Sequence, residues 1–440
     1  MVCSALSATT KDKGTTNRLL QAYRNCLDFQ LGKTCTLIQE VYLEHVNAAY
    51  EYIKNPDLAV RLVEQIKCEC DKITKILQAT RTIGHGTSCI IDMVISSGER
   101  LACFFISAVL CDRNIASEVI DLSEIASTVT QSAMEQSFYN ELSNLMAKRI
   151  RKSQATVPVV TGFFGPIDHG VLTQIGRGYT DFCASIISVG LCAEELQVWK
   201  EVQGIFTADP SKVPSAKMLP IISAEEASEL TFHGSEVIHY AAMRLATRAS
   251  VSVRIKNVLD PQAPGTLIVN DWTNIGAPPM SFHADQFTAV GGTQSPTCDV
   301  IPGAPIAITS KDEILLINIR SAERVKAHSF LAGVFLIFDK FHLSIDLICT
   351  SEVQASMAVH SEAPLVRGEA EKDMTPVRQD IRSAISQLQE YGEVEILYKK
   401  TIISLVGKQV GHSLGVTGRM FSTLSENCIQ VEMMAHGMKY

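Results

Sequence analysis

The stretch Val157 to Asp181, VPVVTGFFGPIDHGVLTQIGRGYTD, gathers the residue types that can hold an anion. Val157, Val159 and Val160 form an apolar run of strand type, Gly162 and Gly165 follow, and Gly176-Arg177-Gly178 leads into Thr180 and Asp181 ahead of small and apolar residues. That order reads as strand, glycine-rich loop and helix. Glycines let backbone amides approach an anion, a helix start leaves N–H groups unpaired, and Arg177 offers a planar fork for a carboxylate or phosphate. Two readings stand at this point, a carboxylate or phosphate site and a tight turn whose Asp181 caps the helix. Farther up the chain, Ser96-Ser97-Gly98-Glu99-Arg100 precedes the apolar residues Leu101, Phe104, Phe105 and Val109. Glu99 is therefore expected at or just before a helix N-terminus, where a carboxylate is often only a dipole partner. Gly32-Lys33-Thr34 imitates the end of a P-loop, but Leu27 stands where the motif requires glycine and the stretch lies between helices, so it is set aside.

The elements that must position these residues alternate. Met1 to Leu6 reads as a strand running into a polar loop, and Thr16 to about Ile83 as a helical block in which Asn55-Pro56 opens a helix carrying Leu58, Leu62, Ile66, Ile73 and Leu77 at turn spacing. Ile115 to Ile150 holds a short strand and an amphipathic helix. Glu195 to Pro210 reads as a strand ending in a turn, Ser223-Ala-Glu-Glu226 as a capping box, and Val251 to Ile255 as an alternating strand. Such alternation implies an α/β fold with a mainly parallel sheet covered on both faces. Residues 271–302, rich in Pro and Gly, read as a linker. Beyond it, strands are expected at Ile314–Ile319, Leu343–Ile348, Val353–Val359, Glu393–Leu397, Ile402–Val406 and Ile429–Met433. Helices are expected at Phe330–Phe341, Thr375–Tyr391 and Leu414–Leu424. Two tandem βαββαβ modules describe this order, with the second reading as incomplete.

The totals narrow the chemistry. The 440 residues, 46% hydrophobic, are enough for two or three domains with real cores. A net charge of −8 without a long Lys/Arg run disfavours nucleic acid or an anionic membrane as the main partner and favours a small polar substrate. Thirteen cysteines form no CxxC pair, and Cys68-Glu69-Cys70 has the wrong spacing for a zinc knuckle, so reduced thiols of a cytoplasmic protein, with no metal framework, are expected. No apolar run is expected to reach the roughly 18 residues that span a bilayer.

VCSALSATT, SSGERL, TGFFG with GRGYTD, QVWKEVQGIFTADP, EEASEL with HGSEVIH, RIKNV with PGT, and FLAGVF, SIDLICTSEV and SMA occur in one order over nearly the whole chain. In that order they resemble the aspartate kinases, specifically the fungal monofunctional type of the amino acid kinase superfamily. The resemblance implies an αβα sandwich over residues 1–270, the linker at 271–302, and two ACT modules at 303–370 and 371–440. It implies phosphorylation of L-aspartate by ATP with Mg²⁺ to β-aspartyl phosphate, the opening step toward threonine and methionine. It also implies feedback control by an amino acid, threonine by this resemblance, and homo-oligomers formed through the ACT modules. The alternative is a catalytically impaired homologue that only binds amino acids.

By the same resemblance Ser4, Ala5, Thr10, Glu99, Arg177 and Thr180 form the aspartate site, and Asp181 with Arg177 the catalytic group. Gly162, Gly176, Gly178, Lys200, Glu201, Phe206, Asp209, Pro210, Glu236 and Val237 fall on the nucleotide side, and Ser329, Asp346 and Ser351 on the effector side. Family members carry a KFGGTS loop whose lysine contacts phosphate. No such segment precedes Met1, which predicts weak activity. Tyr240 stands where the family usually has Pro, and Ser211 where it has Arg.

Overall fold

The computed structural model describes residues 1–8, 13–129, 136–232, 234, 237–270, 305–321, 327–341, 343–360, 366–367, 375–376, 379–407 and 415–435. Thr10, Glu236 and the expected linker lie outside them. The chain divides into two compact units, one of Met1–Gly204, Pro220–Ala224 and Glu236–Asn274, the other of Ile205–Leu219, Glu225–Ser235 and Ile275–Tyr440.

The first unit begins with strand β1 (Val2–Cys3) and the helices α1 (Thr15–Leu27), α2 (Leu31–Tyr52), α3 (Pro56–Ile83) and α4 (Ser88–Asp112). The expected helical block is thus three helices, and Gly32-Lys33-Thr34 lies in the first turn of α2. Asn55 caps α3 as its sequence predicts, accepting from the N–H groups of Asp57 (2.9 Å) and Leu58 (3.4 Å), while Gly84 ends it with φ +71°. There follow β2 (Ser117–Ile120), a 3₁₀ turn (Ile125–Thr128), α5 (Gln136–Ile150), β3 (Val157–Thr161), α6 (Val171–Gln174), α7 (Tyr179–Leu191), β4 (Glu195–Lys200), β5 (Ile221–Ser223), α8 (Ala224–Phe232), α9 (Tyr240–Arg248), β6 (Ser252–Asn257) and β7 (Thr266–Val269). All but the first residue of α8 belongs to the second unit. The strands form a parallel sheet ordered β1-β3-β2 and a sheet ordered β4-β6-β7-β5 in which only the β6–β7 pair is antiparallel.

α4 departs from expectation. It starts at Ser88, not after Arg100, so Glu99 lies in mid-helix and is no partner of a helix N-terminus. Its 25 residues are also long and apolar enough to cross a membrane by length and composition, contrary to the expected absence of such a run. Asp92, Glu99 and Arg100 are nevertheless all buried, and Ala102 and Cys103 pack on Cys3 and Val159 of the sheet, so α4 is the core helix of this unit. On its other side it joins α1, α2 and α3 through Leu19, Val41, Leu62, Ile66, Val94 and Leu101.

In the second unit β8 (Ala307–Ser321), α10 (Ala327–Lys340), β9 (Ile345–Thr350), β10 (Gln354–Val359), the short pair β11 (Val366–Arg367) and β12 (Thr375–Pro376), α11 (Gln379–Leu388) and β13 (Gly392–Val406) precede α12 (Val416–Glu426). The main sheet is antiparallel, ordered β13-β8-β10-β9. Leu315, Ile317 and Ile319 alternate with Ile314 and Leu316, so one face meets Phe330, Val334 and Phe338 of α10 and Ile381, Ala384 and Leu388 of α11. Strands expected in two modules therefore share one βαββαβ sheet, and the expected strands at 393–397 and 402–406 are the single β13. Its pairing to β8 shifts register between Leu397 and Ile402, beside the left-handed residues Glu313 (φ +55°) and Lys399 (φ +51°). The helix expected from Thr375 begins only at Gln379, because the residue before Pro376 is driven to extended backbone and pairs in β12. Ile429–Met433 is not a strand. Its alternation has no ladder partner among the described residues, although Met433 packs against Ile314, Leu316 and Ala358.

The segment Ile205–Leu219 joins this unit through β8. Ile308 N–H donates to the Thr207 carbonyl at 2.8 Å, and Lys212 Nζ pairs with Asp312 and donates to Ser310 Oγ at 2.8 Å. Lys311 pairs with Asp346 of β9 at 2.8 Å and lies 5.9 Å from the Phe232 ring centroid.

One buried ion pair joins α3 to α4. Arg100 Nε donates to Glu69 Oε1 at 2.8 Å, and its other nitrogens donate to Ser97 (2.8 Å), Ser123 (2.9 Å) and Ser96 (3.3 Å). Removing one partner of such a pair leaves an uncompensated buried charge and costs about 3–5 kcal/mol. Arg100→Met is expected to lower the unfolding free energy of the full chain by that order, seen as a lower urea midpoint, with the further change Glu69→Leu restoring much of it. A midpoint that Arg100→Met leaves unchanged would show that the pair does not hold α3 to α4.

Candidate active site

Glu99 sits where α4 is crowded by the chain start. At Gly98 an added Cβ would lie 2.9 Å from Ala5 Cβ and 3.4 Å from Thr15 Cγ2, so glycine is what lets the segment after β1 and the first turn of α1 press on the helix. The Glu99 carboxyl is fully buried. Its Oε1 accepts from the Tyr179 hydroxyl at 2.7 Å, and its Oε2 has no hydrogen-bond partner among the described residues. Burial pushes its pKa up to about 7 against the opposing pull of the Tyr179 hydroxyl, the Ala5 backbone N–H and Arg100. The Ala5 N–H thus favours the ionised form without closing a hydrogen bond to Oε2. A buried carboxylate oxygen without a donor is costly, and a ligand that brings an N–H group removes that cost.

The glycine-rich stretch lies beside it. β3 is followed at once by Gly162, whose N–H donates to the Cys3 carbonyl at 2.9 Å, and a Cβ there would meet the Thr180 side chain and, at 2.6 Å, the Cys3 carbonyl. Gly176 and Gly178 have φ of +82° and +89°, a left-handed conformation that disfavours other residues. Gly178 is the N-cap of α7, so Asp181 falls in the first turn and does not cap it. The Asp181 carboxylate accepts from Lys200 Nζ, at the end of β4, at 3.1 Å. Arg177 is exposed, and its guanidinium donates to Asn17 Oδ1 of α1 at 2.8 Å.

Two residues that the sequence reading passed over belong here. His239, N-cap of α9, packs its ring on Gly178 and Phe182, donates from Nε2 to the Ile175 carbonyl at 3.1 Å, and has no partner for Nδ1 among the described residues. Asp92, two turns before Glu99 on α4, accepts from the Val171 N–H at 3.0 Å and anchors α6, and burial raises its pKa to about 6. The signal for Asp92 was its seven-residue spacing from Glu99, hidden by starting the helix too late.

The expected residues therefore divide. Ala5, Glu99, Gly162, Thr180, Asp181 and Lys200 are drawn together in pairs around β1, α4 and α7, with Ser4 exposed beside Ala5 and Arg177 held by α1. Glu201 is exposed and Val237 lies in a turn. Phe206, Asp209 and Pro210 belong to the second unit, where Phe206 bridges to Met218 and Asp209 accepts from Ser211 N (2.9 Å) and Oγ (2.7 Å). The effector residues are not gathered. Ser329 is exposed in the first turn of α10, Asp346 is paired with Lys311, and Ser351 closes the β9–β10 turn on Gln354, about 17 Å along the strand from Asp346.

The raised pKa of Glu99 makes stability depend on pH. Its folded value, about 7, exceeds the unfolded value near 4.5, so the folded state holds the proton more tightly. The contribution is complete below about 4.5 and is lost as pH rises through about 7, on the order of 3 kcal/mol in all. Asp92 acts in the same direction up to about 6. Glu99→Gln should flatten this fall, read as the difference in urea midpoint between about pH 5 and about pH 8. An equal fall in both proteins would place the Glu99 carboxyl in water.

The amino acid kinase family matches residues 11–257. The aspartokinase of Schizosaccharomyces pombe is 40% identical over 99% of this chain and 81% of its own length, and that of Saccharomyces cerevisiae 40% identical over 99% and 80%. Among solved structures, Escherichia coli aspartokinase III with aspartate and ADP aligns with 100% of this chain and 87% of its own at a TM-score of 0.71 and 23% identity. The same enzyme with lysine and aspartate aligns at a TM-score of 0.70 and 22% identity, over 100% and 86% of the two chains. With a parallel α/β unit, a βαββαβ sheet and relatives of this identity along its whole length, the chain belongs to the amino acid kinase family, among the aspartokinases.

Proposed function

We propose that this chain transfers the γ-phosphoryl group of ATP to the side-chain carboxylate of L-aspartate, and that the aspartate binds between Glu99 and Arg177. The observation that carries the reading is the buried Glu99 carboxyl with one oxygen lacking a donor among the described residues. Aspartate has an ammonium group to satisfy that oxygen and an α-carboxylate for the Arg177 fork. Its remaining carboxylate oxygen attacks the γ-phosphorus, the bond to the ADP oxygen breaks, and ADP leaves with the electron pair. Transfer of this kind needs cations and amides fixed where charge spreads over the phosphoryl oxygens. Lys200, held by Asp181, is the cation assigned to that place, and the N–H groups at the start of α7 are the amides.

Mg²⁺ fits this site only as the companion of ATP. The donor set beside Lys200 is one carboxylate already paired, and such an ion is carried mainly on phosphate oxygens and water. It would offset phosphate charge during transfer.

The product class is the acyl phosphate that opens threonine and methionine synthesis, and feedback control by threonine is assigned to the sheet of β8, β9, β10 and β13, through which two copies associate. A ligand ammonium reaching Asp346 has to displace Lys311, so binding would be an exchange of ion pairs.

Two measurements test these assignments. Arg177→Ala and Glu99→Gln are each expected to raise KM for aspartate about tenfold or more, the scale of a lost charge-assisted hydrogen bond, and to leave KM for ATP nearly unchanged. Equal effects on both substrates would remove the two residues from the aspartate site. Calorimetric titration of the full chain with threonine, lysine and methionine is expected to show threonine binding that Asp346→Asn abolishes. Binding indifferent to Asp346→Asn would take the effector away from Asp346.

A further inference from the structure

The aspartate reading uses Glu99 but leaves unexplained the fully desolvated hydroxyl beside it. Tyr179 is 5% exposed, packs edge-on against Phe163 with ring centroids 5.6 Å apart, and places its hydroxyl 2.7 Å from Glu99 Oε1. The Thr16 side chain of α1 lies beside the phenol and pulls its pKa down, against burial and Glu99. Three elements thus converge on the Tyr179 hydroxyl, which donates to Glu99. Ring packing alone requires no hydroxyl here, and phenylalanine would fill the same volume. What the hydroxyl adds is an occupied lone pair on Oε1. It fixes the plane of the carboxylate and leaves Oε2 as the oxygen without a donor.

We propose that Tyr179 is a positioning residue for the amino-acid substrate, its hydroxyl holding Glu99 so that Oε2 is presented to the substrate's ammonium group. The proposal rests on the assignment of Glu99 to aspartate and deepens it. A carboxylate free to rotate would spend part of its time with neither oxygen aimed at the ammonium, and a fixed one binds without that cost in ordering. The same bond favours the ionised form of Glu99, the form that attracts an ammonium. Burial and the neighbouring Glu99 raise the Tyr179 pKa well above the usual range, so the phenol stays protonated and remains a donor. The other titratable or charged groups facing Glu99 are Arg100 and Cys103 on α4 and Cys183 on α7. Burial and, for Cys103, hydrogen bonding to Cys3 raise both thiols, which leaves Arg100 as the charged neighbour.

The test is Tyr179→Phe in the full chain, with Thr16→Val as a second variant that leaves the Tyr179 side chain in place. Tyr179→Phe is expected to raise KM for aspartate about tenfold, with kcat falling less and KM for ATP unmoved. The acid limb of kcat/KM for aspartate should shift to higher pH, because Glu99 loses a donor that favours its charge, so the defect shrinks in alkaline buffer. Thr16→Val should move both quantities the same way by less. A purely structural role would lower thermal stability and kcat without moving the pH profile, and that result would overturn the proposal. So would a Tyr179→Phe protein with wild-type KM and profile while Glu99→Gln still abolishes aspartate binding. If Glu99→Gln itself leaves KM for aspartate unchanged, the underlying assignment of Glu99 fails instead, and the positioning role fails with it. Should Tyr179→Phe not fold, the profile of Thr16→Val decides alone, an unshifted limb counting against the proposal.

Discussion

At Gly98 and Gly162 there is no space for a Cβ, and those two close approaches set the geometry of the first unit. Through Gly98 the segment after β1 and the first turn of α1 come against α4. Through Gly162 the end of β3 comes against the side chain of Thr180. A methyl group at either place would lie closer to its neighbours than Cβ atoms come, so the three elements meeting there would have to part. The carboxyl of Glu99 would then no longer be sealed from water or be within reach of Tyr179, and its proton affinity would fall back toward that of an exposed acid. Backbone packing therefore controls the electrostatics of the site before any charged partner is counted.

The charges then sort by depth. Glu99 is sealed and held by a neutral donor, Asp181 is half-buried and paired with Lys200, and Arg177 is exposed at the loop. A negative group whose charged neighbour Arg100 is bonded to Glu69 keeps much of its field for a cation that arrives with a ligand, whereas Asp181 has its field largely cancelled by Lys200. Arg100, next to Glu99 in sequence, turns to Glu69 and three serine hydroxyls. Its charge is consumed in joining α3 to α4 and leaves Glu99 raised in pKa, although the two residues are adjacent.

Much of this was legible in the sequence because it rests on local rules. The strand, glycine loop and helix around Gly162 to Asp181, the Asn55 cap and the alternation of β8 all follow from periodicity and turn chemistry. The failures share one cause, which is that a partner far along the chain decided the outcome. The start of α4 was missed since Ser96 to Gly98 look like a helix boundary, yet their side chains are small because Arg100 and the chain start need the room. Ile429 to Met433 alternates like a strand but finds no ladder. Asp346 looks available in sequence and is bonded to Lys311, 35 positions away. The hydrogen bond from Tyr179 to Glu99 could not be read from residues 80 positions apart.

β8 carries Ser310, Lys311 and Asp312 in succession, and successive strand side chains leave opposite faces. Ser310 and Asp312 both turn to Lys212, while Lys311 turns to Asp346 and the ring of Phe232. Sliding this strand by one residue in one sense would bring Asp312 to Asp346 and in the other would leave Asp346 facing Ser310, so the Lys311–Asp346 attraction is lost either way. The apolar alternation of Ile314 to Ile319 already opposes such a slip farther along the strand. The charged triplet repeats that instruction at the other end, beyond the irregularity at Glu313, where the hydrophobic pattern no longer reaches. Alignment of the long ladder is thus written twice, in two chemical languages, one for each side of its bulge.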